Sequence, residues 1–220
     1  IIQLSSRMRS AKPMSHFKGK LMERRRRKPA KKARKPGQMR PFTPEQVTML
    51  EALLRQDGSW TALRDLALLR VGIDSMLRSS DIVKLCVRDI CHDGEVVAEF
   101  AVKQRKTSKV VKCDLSEKTR AALAHWLAAN AGMAADDRVF AITTRQHQRI
   151  VKSWCALLKL DGALYSTHSI RRTKPAHLYA KTKNLAAVKE LLGHANVAAT
   201  GVYLGVTSDD ARALAKQFPI

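Results

Sequence analysis

The sequence predicts an α+β domain, mainly helical, with one small three-stranded antiparallel sheet, preceded by a basic arm. Three observations predict it. Apolar residues recur at helical spacing through residues 44–76 and again through 117–158. Between Cys86 and Asp114 the pattern changes to short strand-like runs separated by turn residues. The first forty residues carry no apolar period at all, only a dense block of positive charge.

The arm is read from charge. Residues 1–40 hold fifteen Lys/Arg and a single acid, Glu23, whereas residues 41–220 hold 26 Lys/Arg against 18 acids. Arg24, Arg25, Arg26, Arg27 and Lys28 run together, and Lys31–Lys35 follow, with Pro29 and Pro36 breaking the block. Like charges repel and no apolar face offers a core, so 1–40 is expected to be a disordered arm and 41–220 the folded domain. A formal charge of +22 favours a polyanionic partner, and the arm's cations are candidates for contacts to a nucleic-acid backbone. No run of eighteen apolar residues exists, so no membrane span is expected. The N-terminus lacks the apolar core and small-residue cleavage site of a secretory signal, which makes the cytoplasm the expected compartment. Four cysteines (Cys86, Cys91, Cys113 and Cys155) have apolar or strand-like neighbours and are read as buried free thiols. Cys86, Cys91 and His92 do not complete a four-ligand zinc set, so no metal is expected.

Helix signals then follow in order. Thr43-Pro44-Glu45-Gln46 is a capping box with proline in the first turn, Val47, Leu50 and Leu54 share a face, and Asp57-Gly58 ends the helix. A second helix starts near Thr61, with Leu66, Leu69, Ile73 and Met76 as its stripe, and leads into Arg78. Asp93-Gly94 between Val87–Ile90 and Val96–Phe100 reads as a hairpin turn, and Lys106-Thr107-Ser108 leads into a third strand, Val110–Cys113. Ser116 caps a helix bearing Leu123, Trp126 and Leu127, and another carries Ile150, Val151, Trp154, Leu157 and Leu158. Short helices are expected after His168, Asn184 and Asn196, and a last one near residues 208–217.

Singly, the polar residues along this frame decide nothing. Their order does. Arg78 lies in Met76-Leu77-Arg78-Ser79-Ser80-Asp81, and Lys106 in the second hairpin turn; Thr167-His168-Ser169-Ile170-Arg171-Arg172-Thr173, Leu192-Gly193-His194 and Tyr203 follow. In that order (Arg, Lys, His-x-x-Arg, Leu-Gly-His, and Tyr nine residues on) the sequence resembles the tyrosine recombinases, the phage-integrase type, over roughly residues 44–213. The resemblance implies a recombinase-like catalytic domain that cuts and rejoins double-stranded DNA through a 3′-phosphotyrosyl intermediate, with no cofactor, metal or ATP. It makes Tyr203 the nucleophile, Arg78 and Arg171 the forks on the phosphate oxygens with His194 as a further donor, His168 the proton acceptor and Lys106 the general acid. Asp81 is expected to orient Arg78. Arg172, on another face of the helix from Arg171, is read as a structural or DNA-backbone residue. Tyr165 and Tyr179, the other two tyrosines, are read as packing residues.

Two features set this sequence apart from that pattern. Larger relatives carry a helical DNA-clamping domain ahead of the catalytic one, where this sequence shows the basic arm; weak site preference and dependence on an accessory DNA-binding protein are then expected. Pro175, four residues after Arg171, removes a helix hydrogen bond if the helix already runs there, and Gly201 and Gly205 bracket Tyr203. By analogy the protein works as a homo-oligomer, dimer or tetramer, on DNA, with the segment Asp209–Phe218 a protomer contact. A DNA-binding remnant of the same fold without efficient strand exchange, and an unrelated basic RNA-binding protein, are the competing readings.

Overall fold

The computed structural model describes residues 39–193 and 196–204, with Arg212 and Lys216 beyond them. Its first element is set by the capping box: Gln46 N–H donates to Thr43 Oγ1 and Thr43 N–H to Gln46 Oε1, which starts α1 (Pro44–Asp57). Gly58, at φ 60°, ends it in the left-handed conformation. Helix α2 (Trp60–Ser75) is capped by Ser59, two residues earlier than the apolar stripe suggests. Leu66, Ala67, Leu68, Leu69, Val71, Gly72 and Ile73 are all buried, so this helix is surrounded rather than laid on a surface. Gly72 allows that enclosure, because a Cβ there would stand 2.7 Å from Cγ2 of Ile170.

After the short α3 (Ser79–Ile82), Val87–Ile90 departs from expectation. It forms a helical turn, α4 (Val87–Ile90), and not a strand. Asp89 accepts the Cys86 N–H, while the N–H groups of Val87 and Arg88 bond to the carbonyls of Asp137 and Ala135. The Val87 bond belongs to an isolated antiparallel bridge of Cys86 with Arg138, so this donor pairs there and not with the hairpin that follows. The sheet therefore divides into two ribbons: β1 (Cys91–His92) with β2 (Glu95–Val96), and β3 (Glu99–Lys103) with β4 (Val110–Asp114). The first turns on Asp93-Gly94, both at positive φ as a tight hairpin requires. The second pairs Glu99 with Asp114 through to Lys103 with Val110 and carries the 104–109 turn at its tip.

Ser116 caps α5 (Glu117–Ala128), and its N–H and Oγ both donate to Asp74 of α2, as does the Thr119 hydroxyl. Helix α6 (Thr144–Leu157) buries Ile150, Val151 and Trp154, with the Trp154 indole donating to Asp65. Helix α7 (Thr167–Thr182) is sixteen residues long and runs through Pro175. It is followed by α8 (Leu185–Leu192), capped by Asn184, and α9 (Val197–Leu204), started by Asn196. One core joins α1, α2, α5, α6 and the strands. A second, smaller cluster of Met76, Val188 and Leu192 lies under Leu178, Tyr179, Tyr203 and Leu204. Tyr165 packs as expected, stacked on Phe42 at 4.8 Å, and Tyr179 packs in the small cluster. All four cysteines are free thiols, but only Cys113 and Cys155 are fully buried. Among the described residues no helix is long and apolar enough to cross a membrane. Residues 1–38 of the basic arm lie outside the described residues, as does the segment 208–217 apart from the helical Arg212 and Lys216.

Candidate active site

Arg78 is aimed by the turn that leaves α2. Met76 takes a left-handed φ of 51°, uncommon for a residue with a side chain, and its burial in the small cluster holds it there. Arg78 then sits in extended conformation at the N-cap of α3, and its Nη1 donates to Gln104 Oε1 at 2.6 Å. Asp81 does not perform the role expected of it. Its Oδ1 accepts the backbone N–H of Arg105 at 3.1 Å, so it ties down the β3–β4 hairpin one residue before Lys106. Gln104 is the residue that orients Arg78, and its Oε1 also accepts the Thr107 hydroxyl. Sequence reasoning missed it, although the signal exists: Phe100, Val102 and Gln104 alternate along one strand face, which turns a buried amide inward. Lys106 is exposed at the tip of that hairpin.

The first two turns of α7 present His168 and Arg171 on one face, three residues apart. Arg171 is 3% exposed and donates through Nη2 to the carbonyl of Leu192 at 3.1 Å. For its buried Nη1 the described residues supply no acceptor of ordinary hydrogen-bond geometry. Gly193 ends α8 at φ 63°, so close to the hairpin that a Cβ would lie 3.1 Å from Val111 Cγ2. His194 lies outside the described residues. Of the two readings of Arg172, structural or DNA-backbone, its placement fits the structural one: it is buried, and its guanidinium carbon stands 5.1 Å from the centre of the Tyr203 ring. Lys174 pairs with Asp74 at 3.2 Å. The arm cations Arg24, Arg25, Arg26, Arg27 and Lys28 lie outside the described residues.

The electrostatics follow from this crowding of cations. Desolvation first, then Arg171, Arg78, Arg172 and Lys106, hold the His168 imidazole below its ordinary value, favouring its neutral form. Burial raises the Tyr203 phenol, while Arg171, Arg172 and Arg78 pull in the opposite direction. Arg78, His168, Arg171 and Tyr203 thus act on one another across one site, with Lys106 within electrostatic reach of His168. Such an array can bind a phosphate diester through permanent cations and offer it a phenol oxygen. Among the described residues no three His, Cys, Asp or Glu side chains gather to hold a metal ion.

Comparison with known proteins gives the family and the fold. The model of the phage integrase family matches residues 41–209. The tyrosine recombinase XerC of Shewanella amazonensis is 29% identical over 182 residues, covering 80% of this chain and 58% of that protein. The probable integrase/recombinase YoeC of Bacillus subtilis is 30% identical over 162 residues, covering 70% of this chain and 84% of that protein. In fold, the XerH site-specific recombinase bound to its difH substrate superposes with a TM-score of 0.64 at 18% identity, over 81% of this chain and 53% of that one. The catalytic domain of bacteriophage HP1 integrase gives 0.52 at 14% identity, over 83% and 97%. The chain therefore spans just over half the length of XerC and XerH. On the family match over residues 41–209, this chain belongs to the phage integrase family.

Proposed function

We propose that the chain is the catalytic domain of a site-specific DNA recombinase or integrase that cuts and rejoins strands through a 3′-phosphotyrosyl intermediate. One observation carries the reading: the guanidinium groups of Arg78 and Arg171 both act electrostatically on the phenol of Tyr203 and on the imidazole of His168. In the forward step the Tyr203 oxygen bonds to phosphorus, the bond from phosphorus to the 5′ oxygen breaks, and the phenol proton passes to His168. Lys106, free to move on its hairpin, protonates the leaving 5′ oxygen, which is too basic to depart as an alkoxide. Arg78 and Arg171, with His194 as a further donor, hold the charge that builds on the non-bridging oxygens; losing one such donor costs roughly a hundredfold in rate. Because the tyrosyl ester conserves the phosphodiester bond energy, a second strand's 5′ hydroxyl reverses the step, and this chemistry calls for neither ATP nor metal.

Support for a double-stranded DNA partner comes from the surplus of cations and from relatives described in complex with DNA, such as XerH on difH and the Tn1549 transposon integrase on circular-intermediate DNA. Assembly of two or four protomers on paired sites, an accessory DNA-binding protein, phosphate contacts from Arg24–Lys28 and a cytoplasmic location belong to the same proposal. The test is incubation with nicked suicide-substrate DNA. A denaturant-resistant adduct is expected, abolished by Tyr203→Phe and retained in Tyr165→Phe and Tyr179→Phe. An adduct that survives Tyr203→Phe refutes the assignment, and none on the cognate site leaves a DNA-binding remnant.

A further inference from the structure

Arg172 is a costly residue to bury, and the strand-exchange chemistry above assigns it no part. Its residue surface is 5% exposed, and it follows Arg171 directly on α7. A helix turns its side chains by about 100° per residue, so the two arginines face different neighbours. Arg171 reaches the Leu192 carbonyl at the end of α8, while Arg172 lies over the Tyr203 ring with 5.1 Å from guanidinium carbon to ring centre. The same tyrosine packs against the apolar cluster of Met76, Val188 and Leu192. The ring thus meets both a planar cation and an apolar cluster.

We propose that Arg172 is a positioning residue for Tyr203, clamping its ring in the site and stabilising negative charge on the phenol oxygen during both cleavage and rejoining. The inference rests on Tyr203 being the nucleophile. In cleavage the phenol loses its proton to His168 as its oxygen bonds to phosphorus. In rejoining, the incoming 5′ hydroxyl gives its proton to Lys106 as its oxygen bonds to phosphorus, the phosphorus–phenol bond breaks with its electron pair on the phenol oxygen, and His168 returns the phenol's proton. That oxygen carries developing negative charge in both directions, so a permanent cation beside it assists both. A guanidinium suits the place better than an ammonium, because it stacks flat on an aromatic face and is more weakly hydrated. Consistent with the geometry, Arg172 is among the groups that favour the ionised phenol.

Arg172→Met preserves length and apolar volume while removing the charge, which separates positioning from simple packing. Two readouts are needed. Tyrosine labelled with 13C at the ring carbon bearing oxygen reports phenol ionisation by NMR, with the Tyr203 signal identified through Tyr203→Phe. Its midpoint should move to higher pH in Arg172→Met. Adduct formation on suicide-substrate DNA should slow roughly tenfold at neutral pH, with the rising limb of its pH profile displaced upward. A folded Arg172→Met protein with wild-type titration and profile overturns the proposal. Should that variant not fold, Arg172→Lys carries the test: a point charge that cannot stack should slow adduct formation severalfold, and wild-type behaviour overturns the proposal. If the wild-type protein forms no adduct, the recombinase reading fails while the NMR titration still decides the role of Arg172.

Discussion

Gly72→Ala tests how the site is held. A Cβ at this position of α2 meets Ile170 Cγ2 at 2.7 Å, whereas carbon atoms pack best at about 3.5–4 Å, so something must move by about 1 Å. Ile170 is 1% exposed and β-branched in a helix, where essentially one rotamer is open to it. The strain therefore passes to the α7 backbone, which carries Arg171 as its next residue. Overpacking of this kind costs about 1–3 kcal/mol. The better helix propensity of alanine returns about 1 kcal/mol. Taken at the middle of that range, the net loss is about 1 kcal/mol, which lowers Tm by roughly 2–4 °C for a domain of this size. Activity should suffer more: a displacement of about 1 Å in catalytic groups costs on the order of a hundredfold in adduct formation. Thermal melts and the suicide-substrate assay measure the two effects. The Ile170→Leu background removes the offending methyl branch from Cβ, so there Gly72→Ala should become neutral or stabilising. An unchanged or raised Tm for Gly72→Ala alone, or an equal loss in both backgrounds, refutes the close-approach argument.

Three other outcomes are expected. Gln104→Leu removes the acceptor that aims Arg78 and should slow adduct formation roughly tenfold to a hundredfold, read at saturating DNA so that binding is not the variable. Burial pushes the His147 imidazole down to about 4, with Nδ1 against Ser79 Oγ at 2.9 Å. The unfolded imidazole takes up a proton that the folded one refuses, so stability is full above pH ~6.5 and declines toward pH 4 by on the order of 3 kcal/mol; His147→Gln should flatten that stretch in urea unfolding. For Asp74, burial opposes ionisation, but hydrogen bonds from Ser116 and Thr119 and the charge of Lys174 outweigh it and hold the carboxyl below its usual range. Its contribution is present above the unfolded carboxylate value, ~3.9, and is lost as pH falls through the folded one; Asp74→Asn should flatten this lower limb and cost about 1–3 kcal/mol at neutral pH.

Much of this molecule is legible from short stretches of chain. Thr43 with Gln46, Gly58, Ser116, Asn184 and Asn196 each act within a few residues, so helix starts and stops can be read where they are written. The Asp93-Gly94 turn is equally local, since only certain residues tolerate positive φ in succession. The order and spacing of Arg78, His168, Arg171 and Tyr203 are likewise visible before any fold is known, because the resemblance to the tyrosine recombinases rests on sequence order and not on contacts.

Long-range contacts decided the remainder. Val87-Arg88-Asp89-Ile90 places its apolar residues three apart, which suits a helical turn as well as a strand end, and the matter rested on carbonyls of Ala135 and Asp137 nearly fifty residues away. Asp81 stands beside Arg78 in sequence, but its carboxylate met the hairpin N–H of Arg105 instead, and Gln104 took the arginine. Arg172 turned inward because α9 brings the Tyr203 ring over its face of α7. Capping and turn chemistry involve neighbours along the chain and are encoded where they act. A buried polar side chain, in contrast, takes whichever partner the folded neighbours leave open, and that is settled only when the helices pack.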